Sequence, residues 1–359
     1  MLIYIIFLIL IFIVPLLGKF KLVEGIDSNG LQATFFIIFL FSALRFDVGY
    51  DYSMYYELIE GNIKYFEDQI NRIEYLPRKI IFLSSFLGFS QLFFIISSFI
   101  ITFFFYKAIK ENSLDPKLST LIFICFPIFF YMSLSVVRQY IAIAMIFYGF
   151  RFIKERKILH FFCLVLLAML FHKSAIIALP LYFLYGNFYI NKKIIVFIYI
   201  LSFFSSKFLV FFVTLLSERY AIYINGIGGQ GGNLILIFFQ LIGLLLLPIV
   251  YNLKDKEDKE FNFYVLCYYV GLFIWASLSR YGHAGIRGSL YFICFTIVLI
   301  PQLKNKIKEY YLIRQSMLIV CFVFFFFNLY LGSKHRVKDA NLPYKTFFFK
   351  TTEDLKPND

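Results

Sequence analysis

The sequence predicts an all-α fold, a polytopic integral membrane protein with about twelve transmembrane helices. Three observations lead there. Hydrophobic residues fill 61% of the 359 positions and only 16% are charged, against roughly 25% charged in soluble globular chains. Apolar runs recur from Leu2 to Leu331 with short polar breaks, which points to one membrane domain over residues 1–359 rather than a row of soluble domains. The polar residues gather in a few short segments at the ends of those runs.

A helix needs about 20 apolar residues to cross roughly 30 Å of hydrocarbon. On that basis the expected spans are 2–17, 30–44, 90–106, 118–134, 139–153, 158–171, 174–186, 194–213, 233–251, 261–279, 289–303 and 315–331. The first lacks the basic n-region and small-residue cleavage site of a signal peptide, so it is expected to remain as a helix. Residues 45–89 read as an extracytoplasmic loop. Within it, Glu57 to Arg78 keeps apolar residues at intervals, as an amphipathic segment on the membrane does, and Leu83 to Phe89 suits a re-entrant piece. Residues 332–359 form a polar C-terminal tail.

Lys and Arg in short loops mark the cytoplasmic side. That assigns Lys107–Lys117, Arg151–Lys157, Asn187–Lys193, Lys254–Lys259 and Lys304–Arg314 to the inside. Segment 45–89, the turns at Arg138 and His172, the loop Lys207–Gly232, Arg280–Arg287 and the tail then lie outside. The net charge of +13 is dispersed over many loops, which argues against nucleic acid and for an anionic lipid surface or an anionic lipid-linked substrate. The five cysteines all fall inside apolar runs without a CxxC pair, so they read as buried hydrophobes, and no metal or redox site is expected. The Gly226–Gly232 run lacks the Lys and Ser/Thr of a phosphate-binding loop and reads as a flexible outer loop.

Four polar clusters carry chemistry. Arg45, Asp47, Gly49, Tyr50, Asp51, Tyr52, Tyr55 and Tyr56 close the second run. A helix starting near Asp51 places Asp51 and Tyr55 on one face, where a carboxylate and a phenol can grip sugar hydroxyls; an interfacial aromatic belt with a local Arg–Asp pair is the plainer alternative. Arg138 and Gln139 open the fifth span, with Ser135 as N-cap. A cation there opposes the helix dipole unless an anion is bound nearby, although an Arg also snorkels to headgroups.

His172 follows a run, 158–171, of only about 21 Å, so the His172-Lys173-Ser174 turn sits below the outer surface, where ionisable groups face a cavity, a partner or a substrate. A single helix over 158–186 is the competing topology. Arg280, Tyr281, His283 and Arg287 bring three potential cations into eight residues, a set suited to a diphosphate or else to a solvated loop. The tail segment Asn341–Tyr344 can fold back as a lid or stay solvated.

These residues give the chain a resemblance to the EpsG and Wzy group of bacterial polysaccharide repeat-unit polymerases. It rests on Arg45-Phe-Asp-Val-Gly-Tyr-Asp51-Tyr-Ser-Met-Tyr55, on Arg138-Gln139 opening a helix, on His172-Lys-Ser174-Ala, on Arg287 with Tyr291, and on Pro343-Tyr344, in that order over most of the chain. Either Arg280 or Arg287 fills the family's late Arg position. The resemblance implies a GT-C-like fold in the bacterial inner (plasma) membrane. It implies transfer of a growing glycan from undecaprenyl diphosphate onto a new lipid-linked repeat unit at the outer face, without cofactor or metal. The substrate partner is undecaprenyl-diphosphate-linked oligosaccharide among membrane lipids; a chain-length regulator protein is a further candidate partner.

Glycosyl transfer builds negative charge on the departing diphosphate, so Arg138, Arg280 and Arg287 are the expected cations there. His172 is the first choice as base for the acceptor hydroxyl and Asp51 the second. Tyr52 and Tyr55 position sugars, Asp47 orients Arg45, and Gln139, Ser174, Tyr291 and Tyr344 complete the expected substrate contacts. A lipid-linked glycan ligase and a polysaccharide flippase are the rival functions, though a transporter favours polar groups at the membrane midplane rather than toward one face.

Overall fold

A computed structural model describes residues 2–17, 30–61, 66–186, 192–204, 233–252, 258–279, 283–334 and 342–349. Among these residues the chain is helical nearly throughout, as the sequence predicts, with one two-stranded antiparallel ribbon. The first half runs α1 (Leu2–Leu17), α2 (Gly30–Ala43), β1 (Arg45–Phe46), α3 (Tyr52–Glu60), α4 (Phe66–Asn71), α5 (Tyr75–Phe86), α6 (Gln91–Asn112), α7 (Pro116–Cys125), α8 (Phe130–Ser135) and α9 (Val137–Lys154). Then come α10 (Ile158–Met169), a 3-10 turn (Lys173–Ala178), α11 (Leu181–Leu184), α12 (Lys192–Phe204), α13 (Asn233–Asn252), α14 (Lys259–Ser277), α15 (His283–Ile293), α16 (Thr296–Gln302), α17 (Tyr310–Lys334) and β2 (Lys345–Thr346).

Gln91–Asn112, Leu234–Tyr251 and Tyr310–Tyr330 are long and apolar enough to cross a membrane; His283–Ile293 with Thr296–Asn305, bent by 47°, makes a fourth such element among the described residues. Other runs expected as single spans are built from shorter pieces. Run 118–134 is split between α7 and α8 because Pro127 holds the preceding residue extended, and Phe126 accordingly has φ −73° and ψ 129°. Run 174–186 breaks near Pro180, and 289–303 bends between α15 and α16. Residues 205–232, with the Gly226–Gly232 run, and most of 187–193 lie outside the described residues. Leu241, Leu244 and Leu245 of α13 and Ile319, Val323 and Phe326 of α17 stand exposed; apolar faces of this extent belong in hydrocarbon, and the protein is a membrane protein.

The chain divides into two compact units. The first holds Met1–Phe150, Cys163–Ala175 and Tyr311–Asp359. In it α2 packs on α1 and α6, around stacked rings such as Phe7–Phe41 at 4.0 Å and Phe105–Phe123 at 4.3 Å between centroids. Ser42 and Ser98 hydroxyls meet at 2.8 Å in the α2–α6 seam, where small residues let two helices approach closely. Asp115 caps α7 by accepting from Leu118 N–H at 3.1 Å and binds Arg314 at 2.8 Å. The second unit, Arg151–Phe162 with Ile176–Tyr310, is built on α14, against which α12, α13 and α15 pack. Gly285 lets α15 come down on the end of α14, since a Cβ there would sit 2.7 Å from Trp275 O.

Candidate functional site

The segment leaving α2 doubles back at once. Arg45 and Phe46 pair with Thr346 and Lys345, then Asp47 takes a φ of 49° and Gly49 one of 100°. A short acid tolerates the left-handed region and glycine alone moves freely in it. Gly49 has a second reason to be glycine: a Cβ would lie 2.0 Å from Leu134 O. The turn is thereby laid on the end of α8, where Tyr50 N–H donates to Ser135 Oγ at 3.2 Å. Ser135, expected to cap the next helix, closes α8 instead.

Arg45 points inward and is 1% exposed. Its Nε donates to Val48 O at 3.1 Å, and Nη1 donates to Ser42 O and to the hydroxyls of Ser42 and Ser98 at 3.1 and 3.2 Å. The guanidinium also lies 5.2 Å from the centre of the Phe94 ring. Burial lowers its pKa to about 10, while the nearby Tyr52, Tyr344 and Tyr4 phenols raise it, so it remains a cation at neutral pH. Gln91 ties this layer together: its Nε2 donates to Ala43 O at 2.6 Å and to Arg45 O at 2.9 Å, and its Oε1 accepts from Tyr52 OH at 2.9 Å. The described tail residues 342–349 fold back against α2 and β1. Tyr344 OH donates to Phe41 O at 2.6 Å, and the two rings stack with centroids 4.3 Å apart.

Arg138 is the second residue of α9 and meets the Tyr52–Glu60 helix. Its Nε donates to Tyr55 OH at 2.6 Å and its Nη1 is paired with Glu74 Oε2; the Arg138 and Glu74 side chains are 23% and 10% exposed. Burial pushes the Tyr55 phenol up, and the Arg138 cation pulls it back. Asp51, half-buried one turn earlier at the start of α3, lies close enough for its charge to act on the same phenol. Asp51 and Tyr55 thus stand one turn apart, Tyr55 fully buried, and Gln139 is buried at 1% exposure.

Glu74 stands at the start of α5, where its side chain makes no capping bond. Lys173 N–H points to its Oε1 at a long 3.4 Å, and Leu76 N–H donates to Leu170 O at 3.1 Å. These contacts stitch α5 to the turn after α10, which ends at Met169; the single helix over 158–186 does not form. In that turn His172 Nδ1 accepts from Ser174 N–H at 3.3 Å and lies 2.8 Å from Ser174 Oγ. A backbone N–H can only donate, so Nδ1 is an acceptor and a neutral ring carries its proton on Nε2.

The first unit thus gathers Asp51, Tyr55, Glu74, Arg138 and the His172–Ser174 turn, over an inner layer of Arg45, Asp47, Tyr52 and Tyr344. In the second unit, Arg287 is exposed one turn after His283 on α15 and Tyr291 is fully buried; Arg280 and Tyr281 lie outside the described residues. Glu74 and Gln91 were not singled out from the sequence. Glu74 had a readable sign, because Glu74-Tyr-Leu-Pro77 puts proline in a first helical turn and the acid just ahead of it. Gln91 had none, since its partners come from residues more than 35 positions away.

No curated protein and no solved structure matches this chain. A family model described as the EpsG family matches residues 31–346, a stretch that takes in Arg45, Arg138, His172, Arg287 and Tyr344. The protein therefore belongs to the EpsG family, a Wzy-type family of polysaccharide polymerases.

Proposed function

We propose that the protein transfers a growing glycan from undecaprenyl diphosphate onto a new undecaprenyl-diphosphate-linked repeat unit. In this reading it is a GT-C-like, multi-pass enzyme of about twelve spans, working at the outer face of the bacterial inner membrane. The observation that carries the reading is Arg138, a half-buried guanidinium at the first turn of an apolar helix. Its Nε is on Tyr55, its Nη1 is on Glu74, and its Nη2 has no hydrogen-bond partner among the described residues. A fixed planar fork with an open prong suits a diphosphate oxygen. It stabilises the transition state more than the ground state, because charge grows on the leaving oxygen as the glycosidic bond breaks.

Arg280 and Arg287, both of the second unit, are proposed as positive charges for the anionic lipid-linked substrate. Asp51 takes the acceptor proton, since a neutral His172 holds its own proton on Nε2 and so donates to a saccharide oxygen rather than acting as base. Tyr55 orients Arg138; Arg45, Asp47, Tyr52, Gln139, Ser174 and Tyr344 hold the surrounding layers of the first unit, Tyr291 is a proposed substrate contact of the second, and a chain-length regulator is a partner to look for. The test is purified protein in liposomes supplied with a synthetic lipid-linked repeat unit, read as a product ladder. Lengthening lipid-linked chains support the proposal. Transfer only to a non-lipid acceptor, or movement of the lipid across the bilayer without new glycosidic bonds, overturns it.

A further inference from the structure

We propose that Glu74 is the counter-ion that competes with the diphosphate for Arg138, and so ejects the spent lipid diphosphate at the end of each transfer. The inference rests on the polymerase reading and adds a step to it. A guanidinium at the edge of an apolar helix is costly if left uncompensated. Glu74 Oε2 pairs with Arg138 Nη1 and covers one of the two terminal nitrogens that a diphosphate needs for forked contact.

Little else holds the carboxylate. It makes no capping bond at the start of α5, and its second oxygen has only the 3.4 Å contact with Lys173 N–H. At 10% side-chain exposure the carboxylate is largely buried, so leaving Arg138 also carries it toward solvent. Swinging off Arg138 therefore breaks one ion pair and strips no helix cap. The guanidinium is far more firmly placed, because Nε stays on the buried Tyr55 hydroxyl at 2.6 Å.

Two anions then share one site by mass action. An incoming lipid diphosphate, carrying more charge than the carboxylate, takes Nη1 and Nη2 and displaces Glu74. After transfer the product is still an anion on the same fork. The tethered carboxylate stands beside it at high effective concentration and retakes Nη1 as the lipid leaves. Without that competitor, product release slows while the chemical step is untouched.

The experiment measures the affinity of purified wild-type, Glu74→Gln and Tyr55→Phe proteins for undecaprenyl diphosphate and for inorganic diphosphate, together with single-turnover and steady-state chain extension. The amide of Glu74→Gln keeps the shape and a hydrogen-bond acceptor but removes the competing charge. The expected result is affinity for undecaprenyl diphosphate raised by about tenfold or more, roughly the loss of one ion pair of 1.4 kcal/mol, with single-turnover rate retained and steady-state rate lowered. Tyr55→Phe, which leaves the competitor in place, shows no such tightening. Parallel tightening toward inorganic diphosphate assigns the competition to the headgroup; tightening toward the lipid form alone overturns a headgroup competitor.

Unchanged or weaker affinity in Glu74→Gln overturns the inference, as does loss of the single-turnover rate, because a group needed for chemistry is not a release device. Should Glu74→Gln fail to fold, Glu74→Asp keeps the charge but shortens the reach, and unchanged affinity there overturns it equally. If wild-type protein neither binds the lipid diphosphate nor extends chains, the polymerase reading fails; if it does both and Glu74→Gln matches it, only this inference fails.

Discussion

Gly49→Ala is the perturbation whose cost the structure fixes most directly. The residue has φ +100°, and a β-carbon built on it would stand 2.0 Å from Leu134 O and 2.6 Å from Leu134 C. Both are backbone atoms of α8, so no side chain can swing away to make room. A non-glycine residue held in such a conformation costs about 1–3 kcal/mol. Forcing a methyl into filled space adds about 1–3 kcal/mol, for a sum of about 2–6 kcal/mol. The strain is met either by local unfolding or by the turn backing away from α8. Retreat breaks the Tyr50 N–H bond to Ser135 and carries Asp51 with it, and a misplacement of about 1 Å in a catalytic group costs on the order of a hundredfold in rate.

The assay is thermal unfolding of detergent-purified protein, followed by chain extension on a lipid-linked repeat unit. Gly61→Ala is the comparison, because Gly61 has φ +75° but nothing within 4 Å of the added carbon; it should lose only about 1 kcal/mol. Wild-type melting and wild-type extension in Gly49→Ala, or an equal loss in Gly61→Ala, would refute the reasoning.

Arg138→Ala and Arg287→Ala should each abolish chain extension without loss of membrane insertion, and Arg138→Lys should be strongly impaired because a point charge cannot stay on Tyr55 and also present a fork to an anion; near-normal product length in these variants removes the diphosphate role. Gln91→Leu should destabilise by about 2–4 kcal/mol, since three buried hydrogen bonds lose their shared partner, and an unchanged denaturation midpoint would count against that network. Tyr344→Ala removes the ring stacked on Phe41 and the bond to its carbonyl, so the β1–β2 pairing should open and limited proteolysis should cut the tail many times faster; equal cleavage rates would show that the tail is held by other contacts.

The membrane class and the helical fold were legible because hydrophobic runs are a one-dimensional property: in hydrocarbon each backbone must satisfy itself, and only a helix does so within one segment. Breaks at Pro127 and Pro180 were legible in principle for the same local reason, although counting runs as spans joined what the prolines divide. Motif residues such as Asp51, Tyr55, Arg138 and His172 announced themselves as polar groups at the ends of apolar runs.

What no local rule carried is which of them meet. Arg45, adjacent in sequence to the site residues, turns into the α2–α6 seam because two serines and a carbonyl satisfy it there. Arg138 instead finds a phenol 83 residues away and a carboxylate 64 residues away. The turn after α10 likewise aims Ser174 N–H at His172 Nδ1, a contact the sequence alone does not fix. The sequence by itself determined that this chain lives in a membrane, that it is helical, and which side chains are chemically unusual there. The tertiary structure alone decided their pairing, because hydrogen bonds and ion pairs between distant segments are chosen by packing, and packing has no signature in the order of residues.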